Sequence, residues 1–298
     1  MMVGEKLLDR WKLKIKAINL GYLFIAPAMI YLFALIASPI TYNIFLSFFK
    51  SSYGAQVFVG FKNYLEVFTS RGFFTVMKNT VIWTVVNMTV MFVIAMVIAL
   101  ILDKKPRGHI FFTVVLLLPW VIPGVVAGIL WRYMLQPRFG IINDILIKMG
   151  IIHSRINWLG SLRTSLGSVI VTYVWKVYPY IMVLIMAGLK GIPQELYEAA
   201  GLDGAGSWQK FIYITLPQLS GVIQAIVLIM GIWTFNSFDL TYVMTKGGPL
   251  YSSEILAMRI YNFGFSDFRL GLAATASVIA FTITFVFAAL YIMFIQRK

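Results

Sequence analysis

The amino-acid sequence predicts an all-α integral membrane protein of about six transmembrane helices, with a short cytoplasmic helical segment between the fourth and fifth. Three observations lead there. Of 298 residues, 60% are hydrophobic and only 12% charged, with a mean hydropathy of +0.85. An ordinary soluble chain is about 45–50% apolar and about 25% charged. Six long apolar runs stand out against the roughly 20 residues that a helix needs to cross the hydrocarbon. The basic residues, which give a net charge of +14, sit beside those runs instead of forming one basic surface with interleaved aromatics, so they read as topology signals and not as a nucleic-acid site. There is no cysteine. Disulfides, thiolate metal sites and cysteine catalysis are therefore excluded, and His109 and His153 are the only imidazoles.

The first run extends from Leu20 to Pro39 and follows a basic tail, residues 1–19, carrying Lys6, Arg10, Lys12, Lys14 and Lys16. Its uncharged stretch continues to Phe49, far beyond the 7–15 residues of a signal-peptide core, so a retained anchor is expected. The tail places the N-terminus in the cytoplasm. The second run, Asn79 to Leu102, ends at a short basic loop, Asp103 to His109, on that same side. The third, Ile110 to Leu135, holds Pro119 and Pro123, which are expected to kink it. The fourth runs from Leu166 to Leu189, the fifth from Leu219 to Thr241 and the sixth from Gly271 to Ile295. An even number of crossings returns Arg297 and Lys298 to the cytoplasm. Arg138, Lys148, Arg155 and Arg163 lie in outer loops, but those loops are longer and less densely charged than the inner ones. No internal repeat or linker is visible, so residues 20–298 are expected to form one transmembrane domain.

The loop from about 190 to 217 does not belong to a simple bundle. Pro193 suits a first helical turn, Glu195 and Glu198 favour the early turns, and Asp203-Gly204 supplies a turn that tolerates positive φ. A short helix, a turn and a second short helix entered at Ser207 are expected. Its acidic first half suits a protein partner better than anionic lipid.

Within this loop, Glu198-Ala199-Ala200 is followed by three residues, Gly204, nine residues, Ile214, one residue and Leu216-Pro217. That spacing resembles the EAA motif of permease subunits in bacterial and archaeal ABC importers. Phe61-Lys62-Asn63-Tyr64 with Asn79-Thr80, Gly140-Ile-Ile-Asn143 with Trp158-Leu159-Gly160, and the run from Leu240 to Lys246-Gly247-Gly248-Pro249 look like the carbohydrate-type subfamily, similar to one half of the maltose and glycerol-phosphate importers. The resemblance implies that the short helix couples to an ATPase, with Glu198, Ala199, Ala200, Asp203, Gly204, Leu216 and Pro217 forming the contact region. It also implies a second, different permease subunit, two ATPase copies that carry the ATP and Mg2+, and an extracytoplasmic solute-binding protein. The setting is the cytoplasmic membrane of a bacterium or archaeon, with lipid around the spans. The chain itself is expected to bind no cofactor and to be no enzyme. No G-x-x-x-x-G-K-[ST] phosphate loop is present, so ATP must be bound elsewhere.

Polar groups at membrane depth cost about 2.5–3.5 kcal/mol for a central charge, so they usually face a cavity or a partner. Lys176 lies near the middle of the fourth span beside Trp175 and Tyr178. It can contact solute, pair with a carboxylate, or snorkel. On the fifth span Trp233, Asn236 and Asp239 recur at i, i+3 and i+6, with Ser237 alongside, which on one helix would place an aromatic plane beside several hydrogen-bonding groups. Sugars present both hydroxyls and apolar C–H faces, so the residue types fit. The resemblance implies that the Asn236-Ser237 region contacts solute, while interhelical hydrogen bonding remains an equal reading for both. Asp239, near the outer end, is read as interfacial. An ion-coupled secondary transporter is the alternative, though it would more often carry membrane carboxylates and inverted repeats. An intramembrane enzyme would need clustered catalytic groups, and no H-E-x-x-H or G-x-S-x-G is present.

Overall fold

The computed structural model describes Tyr22, residues 24–52 and residues 55–296. The basic tail, the start of the first span, and Arg297 and Lys298 lie outside the described residues. The first helix, α1 (Phe24–Leu46), contains a π-helical turn at Phe33–Ala37. Its cause is Pro39, which has no N–H to continue the i to i−4 ladder. Ser38 N–H instead bonds Phe33 O. The same device recurs at Phe211–Thr215, again two residues before a proline, Pro217.

An antiparallel hairpin follows, β1 (Phe49–Ser52) with β2 (Ala55–Phe58), Phe49 opposite Phe58. Hydropathy predicts no strand here, although Lys50 ends the apolar run of α1 and the polar Ser51-Ser52-Tyr53-Gly54 stretch carries turn-forming residues. Asn63 on α2 (Lys62–Thr69) clamps its start by donating from Nδ2 to Ser47 O and Phe49 O, at 2.8 and 2.9 Å. The Ser47 and Tyr64 hydroxyls meet at 2.8 Å.

The core is the packing of α3 (Phe73–Asp103) on α7 (Ser165–Lys190). Trp83 is fully buried, 4.8 Å from the Tyr173 ring, and its indole N–H reaches Thr234 O at 2.8 Å. Of the most apolar window of α7, 61% is buried, against 33% for α3, 6% for the last helix and none for α1. That order sets α7 at the centre. The outer faces of the rest are large apolar surfaces suited to lipid or to another membrane subunit.

The third and fifth apolar runs are not simple spans. The third divides into α4 (His109–Val121) and α5 (Gly124–Met134), bent by 96°. Ile122, at φ −66° and ψ 129°, is extended because Pro123 disfavours helical geometry in the residue before it. Pro119 is carried inside α4 without ending it. A short helix α6 (Ile141–Lys148) follows. Beyond α7 come α8 (Gln194–Leu202), α9 (Ser207–Gln218) and α10 (Ser220–Phe235), with a 65° bend between α9 and α10. The predicted fifth span then breaks at Asn236 to Phe238 and resumes as α11 (Asp239–Thr245). Asn and Ser side chains compete for backbone hydrogen bonds and favour such stops. The chain closes with α12 (Leu256–Tyr261) and α13 (Leu270–Gln296). Among the described residues four helices are long and apolar enough to cross a membrane, and up to six spans result if each bent pair counts as one.

Three subfamily segments recognised in sequence act as loop clamps. Asn143 accepts the Trp158 indole N–H and the Ile156 N–H on Oδ1 and donates to Ile156 O, fixing the loop after α6. Asn79 donates to Tyr251 O and Glu254 O at 2.8 and 3.1 Å, and Thr80 accepts the Leu256 N–H at 2.9 Å. The strap from Lys246 to Leu256 is thereby tied to α3. Asn79→Ala is expected to cost about 1–3 kcal/mol, since two buried acceptors lose their donor. Faster amide exchange confined to residues 250–258 would register it.

Candidate functional site

A cavity of about 290 Å³ lies where α4, α7, α10 and α11 converge. The two helix breaks create it. In an unbroken α4–α5 helix, Trp120 O would accept the Gly124 N–H. The bend frees that oxygen, and Lys176 Nζ on α7 donates to it at 3.4 Å. Gly124, first in α5, lets the Asp239 carboxylate lie directly on its Cα, where any Cβ would collide with Oδ2. Four residues on, Gly128 brings α5 against the Leu240 carbonyl, so a small-residue face seats α11.

Three rings from three helices stack along one wall. Trp120 and Tyr180 are 5.4 Å apart at 23°, and Tyr180 and Trp233 are 5.6 Å apart at 28°. Lys176, Ser237 and Asp239 also line the cavity, with Tyr173 at its floor. Among the described residues Lys176 and Asp239 form no ion pair with each other. Beyond the hydrogen bond to Trp120 O, the Lys176 ammonium has further N–H groups to offer, and the Asp239 carboxylate accepts no side-chain hydrogen bond among the described residues, so a guest with apolar faces and hydrogen-bonding edges can use both. No group of three or more His, Asp or Glu able to hold a metal occurs among the described residues.

Four of the sequence-designated residues, Lys176, Trp233, Ser237 and Asp239, thus meet at one cavity, and two do not. Asn236 turns back to donate to Ile232 O at 2.8 Å, and Tyr178 is buried in the core. Trp233, Asn236 and Asp239 do not share one helical face, because the helix ends at Phe235. Asp239 lines the cavity instead. As first residue of α11 it is drawn to the cavity by the break. Trp120 and Tyr180 complete the site. Tyr180, four residues after Lys176, shares its helical face, which is a usable sequence signal, whereas nothing in the apolar run around Trp120 marks it.

At the far end of α7 the helix–turn–helix between α7 and α10 forms at the expected positions. Gly204 takes φ +78° in the turn, and the Gly206 N–H is capped by Gln209 Oε1 at 2.8 Å. Tyr197 OH meets Thr215 Oγ1 at 3.0 Å, pinning α8 to α9. Glu198, Ala199, Asp203, Gly204 and Pro217 are exposed, while Ala200 and Leu216 are half-buried. Leu202 is 92% and Trp208 71% exposed, an apolar pair flanking the acidic helix.

A polytopic, predominantly helical permease, with a cavity lined by broken helices and a projecting helical loop, is the class that this fold and site define. The family described as "Binding-protein-dependent transport system inner membrane component" matches residues 91–298, and the chain belongs to that family. It is 32% identical to the trehalose/maltose transport system permease protein MalF of Thermococcus litoralis, over 94% of this chain and 95% of that protein. It is also 32% identical to the sulfoquinovosyl glycerol transport system permease protein SmoG of Agrobacterium fabrum, over 99% and 97%. Among solved structures, a bacterial ABC transporter for import of the acidic polysaccharide alginate superposes with a TM-score of 0.83 at 22% identity, covering 97% of this chain and 99% of that one. These matches bear out the carbohydrate-type ABC permease resemblance read from the motifs, and a helical membrane fold to which the short β1–β2 hairpin is an addition.

Proposed function

We propose that the chain is the permease subunit of an ATP-driven importer that passes a sugar or sugar-like solute across the cytoplasmic membrane by alternating access. An extracytoplasmic binding protein delivers the solute. A second, different permease subunit completes the pore, and two copies of a separate ATPase bind ATP and Mg2+ and dock on α8. The N- and C-termini face the cytoplasm. The observation that carries this reading is the aromatic wall opposite Lys176, Ser237 and Asp239, because ring faces take up sugar C–H surfaces while the polar heads meet hydroxyls. A relative named for trehalose and maltose, and one named for sulfoquinovosyl glycerol, support the sugar class. A solved neighbour in complex with a pentasaccharide-bound periplasmic protein supports the delivery step.

The test is ATP hydrolysis and solute uptake by the purified complex in lipid, with and without loaded binding protein. Stimulation by the loaded receptor and uptake that requires ATP are expected. Uptake driven by an ion gradient without ATP would refute the reading. A cysteine at Ala199 should crosslink to the ATPase in at least one nucleotide state. Trp233→Ala removes the end ring of the stack. Stacked rings contribute about 0.5–1.5 kcal/mol each, so uptake at low solute concentration should fall several-fold to about tenfold. Because Trp233 is 53% exposed in this chain, the fold of the chain should be unchanged.

A further inference from the structure

A second cavity, of about 520 Å³, opens where the end of α5, α6 and the start of α7 meet, at the opposite end of α7 from the α8 loop. Its apolar lining is Trp131, Leu135, Ile142, Trp158 and Val171. The polar lining is already satisfied with one exception. The Trp158 indole N–H is held by Asn143 Oδ1, Thr164 Oγ1 donates to Trp158 O at 2.6 Å, and Ser168 Oγ donates to Thr164 O at 2.8 Å. The guanidinium of Arg163 has no acceptor among the described residues. Arg163 is exposed and is the one cation of the lining, so a guest with an anionic head can pair with it, while the rest of the lining is apolar or already hydrogen-bonded. A saccharide, which brings many hydroxyls, does not match that lining.

We propose that this cavity binds one anionic phospholipid, with the phosphate on Arg163 and the upper acyl chain along Trp131, Leu135 and Val171. Depth supports the assignment. Arg163 precedes the first residue of α7 by two positions, at headgroup level. Val171 lies about 9 Å beyond Ser165 along the helix at 1.5 Å per residue, and it is 56% exposed, which leaves it open to an acyl chain below the headgroup. Charge supports it as well. The segment between α5 and α7 carries Arg138, Lys148, Arg155 and Arg163 against the single acid Asp144, which is already paired with Arg155 at 2.5 Å. Basic residues near a membrane surface attract anionic lipid, which gives a physical use to outer-loop charges that run against a simple inside-positive pattern. Gly167 keeps the cavity open, for a Cβ there would meet nothing within 4 Å.

The proposal rests on the chain being a membrane protein and not on the importer reading. Native mass spectrometry of the purified, delipidated membrane complex, titrated with phosphatidylglycerol or with phosphatidylcholine of equal chain length, tests it. Wild type should hold one phosphatidylglycerol more tightly than any phosphatidylcholine. Arg163→Gln should weaken that step about tenfold, the loss of one charged hydrogen-bonded contact, and leave phosphatidylcholine unchanged. Gly167→Leu, whose Cβ meets nothing within 4 Å and whose side chain adds bulk to the cavity lining, should abolish the step. Equal phosphatidylglycerol binding by wild type and both variants overturns the proposal. Unchanged lipid binding together with lost receptor stimulation in Arg163→Gln overturns it in favour of a protein contact.

Discussion

Glu198→Lys is expected to leave the membrane subunits folded and assembled while abolishing the stimulation of ATP hydrolysis by loaded receptor. The reasoning begins with what Glu198 does in its own chain. Its side chain is exposed and makes no hydrogen bond or ion pair among the described residues. Substitution at such a position usually changes stability by no more than about 0.5 kcal/mol. In a docked interface the arithmetic differs, because losing one partner of a buried charged hydrogen bond costs about 2–5 kcal/mol and charge reversal adds repulsion. A loss of coupling of at least about thirtyfold follows. Glu198→Gln should fall between, and a compensating acidic substitution on the ATPase should restore part of the lysine variant's activity. Hydrolysis that still responds fully to receptor in Glu198→Lys would remove α8 from the coupling path.

The largest stability effect is expected at Arg259→Met. Glu254 is 2% and Arg259 6% exposed. The carboxylate accepts from Arg259 Nη2 and from Asn262 Nδ2, each at 3.0 Å. Arg259 also donates to Arg71 O at 3.2 Å and lies 4.7 Å above the Tyr251 ring. Removing the cation leaves a buried, uncompensated carboxylate, at a cost of about 3–5 kcal/mol. Adding Glu254→Leu to that variant should recover most of the loss, since an apolar pair of similar volume is often neutral. Burial pushes the Glu254 carboxyl above its ordinary range, and Arg259 and Asn262 only partly oppose this. The folded state therefore holds this proton more readily than the unfolded chain. Its contribution is complete below the ordinary glutamate pKa and is lost as pH rises through the folded value. Without Arg259 the folded value rises further, so the penalty of Arg259→Met should be larger at pH 8 than at pH 5. Thermal unfolding of the single and double variants at both pH values would check this, and a single-variant loss independent of pH would contradict it.

Hydropathy located the apolar runs and placed the α8 loop because burying some 20 residues in hydrocarbon demands a long uncharged stretch. Hydropathy did not locate the breaks, although Pro123 marked the first of them as a kink. Ile122-Pro123 is as apolar as its surroundings, and Asn236-Ser237 interrupts its run too briefly to lower a window average. Those breaks decide the cavity, so Lys176, Trp233, Ser237 and Asp239 were readable as residue types while their meeting with Trp120 was not. Asn79 shows the same limit from another side. It was visible as part of a pattern, but the carbonyls that it holds are 172 and 175 residues away, and only the folded chain brings them together.

The gradient of burial from α7 to α1 has a consequence for how this chain can change over generations. Most side chains in the apolar window of α7 are buried, so their volume and shape are constrained, and a replacement at such a position requires a matching change in a neighbour. Nothing in the apolar window of α1 is enclosed by its own chain. Wherever lipid covers that helix, exchange among leucine, isoleucine, valine and phenylalanine is close to silent. Drift should therefore run fastest in the first helix and slowest in the fourth span, with coupled substitutions concentrated between α3 and α7.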